Sequence, residues 1–180
     1  MVYVLLGTGF EEMEALTPVD LLRRAGVEVL TVGVNGKTVY GSHKIGVEAD
    51  IDLSEMDLTN MDMIVLPGGL GGVASVRASQ EAMNALRFAW ENDKFVAAIC
   101  AGPTVLADLG ITDGKNATCY PGCEGGMGSA NVISDKPFVV DGRLITGASA
   151  GCATKFALAL VAVMGGIDAA NRIEDQIVIR

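Results

Sequence analysis

The sequence predicts a single α/β domain in which helices cover both faces of a mostly parallel sheet. Short apolar runs that fit buried strands alternate with amphipathic segments that fit helices. The chain has 180 residues, which is the size of one ordinary domain. It shows no repeat, linker or low-complexity tract at which to divide it. We therefore expect one domain over residues 1–180.

The first part of the chain predicts a strand, a helix, a second strand and a hairpin. Val2 to Leu6 fits a buried strand. Glu12 to Ala25 has apolar residues at helical spacing and is followed by a glycine that fits a helix end. Val27 to Val34 fits the second strand, and Asn35-Gly36 is typical of a tight hairpin turn. The predicted hairpin strands are Lys37 to Tyr40 and Ile45 to Glu48.

The remainder repeats the alternation and completes the sheet. Met63 to Leu66 and Phe95 to Ile99 fit core strands, the first followed by a Gly-rich loop. The region from Asp113 to Ser129 is Gly-rich and fits irregular structure. Further elements are helices over Gln80 to Asn92, from Gly102 onward and over Thr154 to Met164, two short strands around Asp141-Gly142, and the sheet strand Leu144 to Thr146. Together they predict a flavodoxin-like three-layer α/β/α sandwich.

Composition excludes several classes of partner. The net charge of −9 would repel a phosphate backbone, so no nucleic acid partner is expected. No apolar stretch reaches the ~20 residues that cross a bilayer, so no membrane partner is expected. The start of the chain lacks the basic region of a signal peptide, which predicts a cytoplasmic protein. In that compartment the four cysteines are expected to be free thiols.

Cys100 is the first candidate for chemistry. It lies between a predicted buried strand and the start of a helix, with small residues on both sides. This is the position of the nucleophile in the strained strand-to-helix turn called a nucleophile elbow. The following helix would favour the thiolate and lower the pKa of Cys100. A buried, inert thiol at the end of a strand is the competing interpretation.

Glu14 is the second candidate, because three acidic residues crowd the start of the first helix. Glu11, Glu12 and Glu14 cannot all point to water from so short a stretch. A carboxyl buried beside Cys100 would have a raised pKa and could share its proton with the sulfur. A solvated acidic helix start is the competing interpretation, and it fits Glu11 or Glu12 better than Glu14.

Other motifs predict little chemistry. Backbone N–H groups after Pro67, with that of Ala101, could bind an oxyanion. Gly7-Thr8-Gly9 lacks the third glycine of a dinucleotide site, so no cofactor is expected. Cys119 and Cys123 fit loop thiols better than a redox pair or a metal site, and no metal is expected. His43, the only histidine, is expected at the surface, and a role across a subunit contact is the alternative.

Three motifs in order resemble the ThiJ/PfpI superfamily, in the branch of the Parkinson-disease protein deglycase. They are Glu11-Glu12-Met13-Glu14, Val65-Leu66-Pro67-Gly68-Gly69 and Ala97-Ala98-Ile99-Cys100-Ala101-Gly102-Pro103. The similarity covers nearly the whole chain, which would make it one ThiJ/PfpI-like, class I glutamine amidotransferase-like domain. It implies an oxidisable nucleophile at Cys100, a protonated partner at Glu14 and backbone donors at Gly69, Leu70 and Ala101.

Two departures from the family pattern bear on activity. Ala101 stands where the protease-like members have His, which argues against peptidase activity. The segment that carries a His in some relatives contains Cys119 and Tyr120 here, which are therefore possible auxiliary residues.

The resemblance implies a cofactor-independent stress-response enzyme of the glyoxalase III or deglycase type. Its substrates would be small reactive 2-oxoaldehydes, and its assembly would be a homodimer. The alternatives are a non-catalytic redox sensor or chaperone, and then a small hydrolase or amidase. Sensor and enzyme require the same activated thiol, so the sequence does not separate them.

Overall fold

The structure, a computed structural model, describes residues 1–179 and is built on a seven-stranded sheet. The strands of that sheet are β1 (Val2–Leu6), β2 (Val29–Gly33), β5 (Ile51–Asp52), β6 (Met63–Leu66), β7 (Phe95–Ile99), β10 (Phe138–Asp141) and β11 (Leu144–Gly147). Their spatial order is β10-β11-β7-β6-β1-β2-β5, and only β10 runs antiparallel to its neighbour. Two small ladders lie outside it: β3 (Thr38–Tyr40) with β4 (Gly46–Glu48), and β8 (Asn116–Ala117) with β9 (Asn131–Val132).

Helices cover the two faces of the sheet, which confirms the predicted three-layer sandwich. The helices are α1 (Glu12–Arg24), α2 (Leu70–Ala78), α3 (Gln80–Glu91), α4 (Pro103–Asp108), α5 (Ala153–Gly165) and α6 (Ile167–Gln176). One hydrophobic cluster joins α1, α5 and α6 to one face, and a second joins α2, α3 and α4 to the other.

Strand β1 shows why the sheet is buried on both sides. Val2, Val4 and Leu6 belong to one cluster, whereas Tyr3 and Leu5 belong to the other, as the two-residue period of a strand requires. Burial of each large apolar side chain contributes about 1.5–3 kcal/mol. The continuous apolar run is therefore the signature of a central parallel strand.

Three local predictions were wrong or incomplete. The Gly-rich segment after β6 was predicted to be a loop, but α2 begins there at Leu70. Helix α6 was not predicted at all. The hairpin is present, but its turn is the segment from Gly41 to Ile45. Asn35-Gly36 instead forms the bend that leads from β2 into β3, with a bridge between Val34 and Gly36.

The segment between α4 and β10 is largely irregular, as predicted for the Gly-rich stretch from Asp113 to Ser129. It contains the short strands β8 and β9 and a 3₁₀ turn at Glu124–Gly126. Within residues 1–179, none of the helices has both the length and the apolar character needed to cross a membrane.

Candidate active site

Cys100 follows β7 directly and occupies a strained turn. Its φ is +65°, a left-handed value that a residue with a Cβ adopts at a cost of about 1–2 kcal/mol. The turn is held from both sides, because the Cys100 amide donates to the Gly147 carbonyl at 2.9 Å and its carbonyl accepts from the Tyr120 amide at 2.8 Å. At Gly102 a Cβ would lie 2.7 Å from the Leu66 carbonyl oxygen, so the chain needs glycine there to enter α4.

Glu14 lies on α1 with its side chain fully buried. Its Oε2 accepts a hydrogen bond of 2.8 Å from the Gly68 amide, and its buried Oε1 accepts none from the described residues. A Cβ built on Gly68 would lie 2.6 Å from Glu14 Oε2 and 2.8 Å from Cys100 Cβ. Both groups therefore flank Gly68, and the predicted proximity of Glu14 and Cys100 is present.

Burial determines the proton affinity of this pair. Burial raises the pKa of Glu14 to about 7, although its interactions with Cys100 and with the Gly68 amide act in the opposite direction. The charge of nearby Glu11 raises it further. A carboxyl with this pKa exchanges its proton near neutral pH, which suits a general acid and base.

The pKa of the Cys100 thiol does not follow the sequence prediction. Burial, followed by the negative charge and the side-chain interaction of Glu14, raises the pKa of Cys100 to about 12. The prediction of a lowered pKa was wrong because it weighed only the following helix. When Glu14 is protonated, its negative charge no longer opposes the thiolate. The two groups therefore compete for one proton and must be treated as a pair.

Two of the three predicted backbone donors lie at the sulfur. The amides of Ala101 and Gly69 interact with Cys100 and lower the pKa of its thiol. Gly69 has a φ of +84° and immediately precedes α2. Leu70 is not among the groups that act on the thiol, and its side chain is largely exposed.

The predicted auxiliary residues do not bring a side chain to the thiol. Cys119 is a buried member of the cluster beneath α4, and burial raises its pKa to about 11. Tyr120 is half-exposed and contacts Cys100 through its backbone amide. Cys123 and Cys152 are free and partly buried.

Glu11 is a site residue that sequence reasoning missed. It caps α1, where its Oε2 accepts the Glu14 amide at 2.8 Å. Its own amide donates to the Gly68 carbonyl at 3.1 Å. Glu11 therefore links Glu14 to Gly68, whose amide donates a hydrogen bond to the Glu14 carboxyl. The available signal was an acidic residue three positions before Glu14, the spacing at which an N-cap side chain accepts the backbone amide of the third helical residue.

Glu12 is also placed differently from the prediction of a solvated helix start. Its side chain is 7% exposed and is hydrogen-bonded to the β3–β4 turn rather than to solvent.

A separate apolar groove of about 510 Å³ lies between β10, α5 and α6, and is lined by residues such as Phe138, Leu158 and Ile167. That groove contains neither Cys100 nor Glu14.

Comparisons with known proteins agree with this geometry. The model of the DJ-1/PfpI family matches residues 1–163. Protein dj-1beta of Drosophila melanogaster is 38% identical over 165 residues, which cover 91% of this chain and 88% of that protein. Its crystal structure superimposes with a TM-score of 0.95 at 35% identity, covering 99% of this chain and 97% of that one.

Two further matches extend the comparison. Deglycase PH1704 of Pyrococcus horikoshii is 32% identical over 146 residues, or 81% of this chain and 87% of that protein. A Toxoplasma gondii DJ-1 structure described as oxidized has a TM-score of 0.91 at 30% identity, covering 98% of this chain and 96% of that one.

Proposed function

The chain belongs to the DJ-1/PfpI family, and we propose that it is a cofactor-independent enzyme that converts reactive 2-oxoaldehydes through Cys100 and Glu14. The similarity to a deglycase supports a small reactive carbonyl compound as the substrate. The observation that carries the proposal is the fully buried Glu14 carboxyl, bonded to the Gly68 amide and coupled to the Cys100 thiol.

The first step is the addition of the thiol to the aldehyde. A bond forms between Cys100 Sγ and the aldehyde carbon, while the thiol proton passes to the former carbonyl oxygen to give a hemithioacetal. Glu14 takes up and returns this proton, since its pKa of about 7 allows both forms at neutral pH. The amides of Gly69 and Ala101 stabilise negative charge beside the sulfur.

The second step moves a proton between adjacent carbons. The Glu14 carboxylate removes the hydrogen of the hemithioacetal carbon as a proton and delivers it to the neighbouring carbon. The hydroxyl proton of the hemithioacetal passes to the oxygen of that neighbouring carbon, so the former aldehyde carbon becomes the carbonyl and the former ketone becomes a hydroxyl. The product is a thioester of a 2-hydroxy acid on Cys100. Water then cleaves the thioester, which releases the 2-hydroxy acid and restores the thiol.

Turnover of methylglyoxal tests this proposal. The native protein is expected to form lactate without any added cofactor, faster than the same concentration of heat-denatured protein. The measurement is lactate produced over time in a buffer free of amines and thiols. Equal rates for native and denatured protein would show that free side chains, rather than a folded site, react with the aldehyde.

Cys152→Ser is the matched control for this assay. Cys152 is also a partly buried free thiol, but it lies at the start of α5 and accepts a contact of 3.7 Å from the Ser149 hydroxyl. We expect this variant to retain the native rate of lactate formation.

A redox sensor is the second candidate, supported by the two amides at the sulfur and by the similarity to an oxidized DJ-1 structure. In this case peroxide oxidises Cys100 to a sulfinate, with two equivalents of peroxide reduced to water. Peptide mass spectrometry after mild peroxide is expected to show two added oxygens on Cys100 before the other three cysteines change. Oxidation spread evenly over all four thiols would argue against a dedicated sensor.

We further propose that the protein is a cytoplasmic homodimer. Exposed apolar side chains occur on two elements that hydrogen-bond to each other, with Met13 and Leu16 on α1 and Tyr40 and Ile45 in the β3–β4 hairpin. Exposed apolar surface of this kind fits a self-complementary two-fold contact, in which the same surface of each subunit faces the other.

A further inference from the structure

The turn of the β3–β4 hairpin is fastened to the start of α1 by one buried carboxylate. Glu12 Oε1 accepts the His43 amide at 2.7 Å. Glu12 Oε2 is 2.8 Å from His43 Nδ1 and accepts the Ser42 hydroxyl at 3.1 Å. Ligand atoms of Glu11, Glu12 and His43 lie within 4.8 Å of one another. Both oxygens of Glu12 are already engaged, so we describe this group as a hydrogen-bonded clamp and assign no metal to it.

The same turn also holds the loop that precedes α1. The Ser42 amide donates to the Phe10 carbonyl at 2.7 Å, and the Gly9 amide donates to the Tyr40 carbonyl at 2.8 Å. Residues 9–12 are therefore bound along one side to the hairpin, by both backbone and side-chain hydrogen bonds.

The other side of this segment reaches the candidate active site. Glu11 donates its amide to the Gly68 carbonyl and accepts the Glu14 amide on its side chain. Gly68 in turn donates to Glu14 Oε2. One short segment, residues 9–14, therefore connects the clamp to the Glu14 carboxyl through a continuous set of hydrogen bonds.

We propose that His43 is a pH-dependent positioning residue for the Glu14–Cys100 pair. In its imidazolium form it holds the first turn of α1 against the hairpin, and loss of its proton weakens that hold. The inference concerns the same site as the proposed function, but it can be tested without any turnover.

The charges around the imidazole support this role. Within one subunit, the charged groups that face His43 are Glu12 and Glu11, both at the start of α1. The hydrogen bond and the charge of Glu12, followed by the charge of Glu11, raise the pKa of His43 above its ordinary 6.5. Burial alone would raise the pKa of Glu12, but hydrogen bonds from His43 and Ser42 outweigh it and lower that pKa to about 2.

The sign of the pH dependence follows from these shifts. Glu12 stays ionised over the physiological range. The contribution of the His43–Glu12 pair is complete below pH 6.5 and is lost as the pH rises through the pKa of His43 in the folded protein. An ionised hydrogen bond is roughly twice as strong as a neutral one, so the clamp weakens rather than breaks.

The test combines a titration with a measurement of thiol reactivity. His43 is the only histidine, so its C2 proton gives one unambiguous NMR signal. The rate at which iodoacetamide modifies Cys100 is followed by peptide mass spectrometry between pH 5.5 and 9. The variants are His43→Gln, which keeps a donor but cannot titrate, and His43→Lys, which keeps a positive charge. His43 is an exposed side chain, so both variants are expected to fold.

We expect His43→Gln to raise the Cys100 modification rate roughly three- to tenfold below the His43 pKa, because Glu14 in its native position opposes the thiolate. His43→Lys should return the rate to the native value. Glu14 is present in the native protein and in both His43 variants. A difference between their profiles of Cys100 modification rate against pH therefore reports the contribution of His43. Glu48→Gln is the control, because Glu48 is an exposed carboxylate of the same hairpin whose side chain accepts the Thr38 hydroxyl on the neighbouring strand. Its profile should match that of the native protein.

Two results would overturn the inference. One is a His43→Gln profile that coincides with the native profile. The other is a His43 titration at or below 6.5, since the Glu12 contact would then be absent in solution. Neither result depends on methylglyoxal turnover, so a failure here and a failure of the proposed function are distinguishable.

Discussion

Replacement of Glu14 by glutamine is expected to lower the rate of lactate formation from methylglyoxal by roughly 10²–10⁴-fold, the usual contribution of a general acid and base. Glutamine has nearly the same shape and can still accept the Gly68 amide that bonds Oε2. It cannot carry a proton between two carbons. The variant therefore separates the loss of proton transfer from any loss of packing.

The same substitution is expected to raise stability at alkaline pH. The pKa of Glu14 moves from 4.5 to about 7 on folding, so the folded state retains a proton that the unfolded state releases. The stability of the native protein is therefore complete below pH 4.5 and falls as the pH rises through about 7. At pH 8 the ionised carboxylate costs the folded state about 3 kcal/mol. Glutamine does not ionise and avoids this cost.

Thermal unfolding at several pH values measures this effect. The Tm of Glu14→Gln should nearly equal that of the native protein at pH 4 and exceed it by roughly 5 °C or more at pH 8, given the length of the chain. Glu48→Gln serves as the control, because an exposed carboxylate should give no such pH-dependent difference. A difference in Tm between Glu14→Gln and native protein that stays constant with pH would contradict the raised pKa.

The position of the candidate site could be predicted because it follows from topology. In a parallel sheet the carboxyl ends of neighbouring strands meet at one edge. β1, β6 and β7 are neighbours in the sheet, so the segments after Leu6, Leu66 and Ile99 had to converge. This geometry brings Glu14, Gly68 and Cys100 together even though they are far apart in sequence.

Helix α2 shows where local propensity failed. Glycine is a poor helix former, so the residues after Gly69 resembled a loop. In the structure a Cβ on Gly72 would lie 2.7 Å from the Phe10 Cα, and one on Gly71 would lie 3.1 Å from the Gly9 Cα. The glycines allow the helix to pack against the loop before α1. Tertiary contact therefore decides this segment, and the sequence of the segment alone does not show it.

The chemistry of the thiol was harder to predict than its place. The effect of a helix on a cysteine can be inferred from local sequence, but burial depends on every element that packs around it. Burial is the largest influence on the pKa values of both Cys100 and Glu14. The role of Glu12 was missed for the same reason, since it bonds a hairpin about 30 residues away along the chain. The capping role of Glu11 is local, and its spacing from Glu14 could have revealed it.

Replacement of Cys100 by serine is expected to abolish lactate formation, with a loss of at least roughly 10³-fold. A hydroxyl is a far weaker nucleophile than a thiolate, and among the described residues the structure brings no histidine to this position to activate it. Cys100→Ser keeps a Cβ at the same left-handed φ of +65°, so the strain of the turn is unchanged. Its Tm should therefore remain within a few degrees of the native value.

This combination of results identifies the nucleophile more firmly than loss of activity alone. Cys100→Gly is a useful companion, because glycine adopts a positive φ at no steric cost and should fold at least as readily in this turn. Both variants should be folded and inactive, whereas Cys152→Ser should be folded and active. If Cys100→Ser kept more than about a tenth of the native rate, the covalent step would have to be assigned to another group, because a serine hydroxyl of ordinary pKa cannot sustain it.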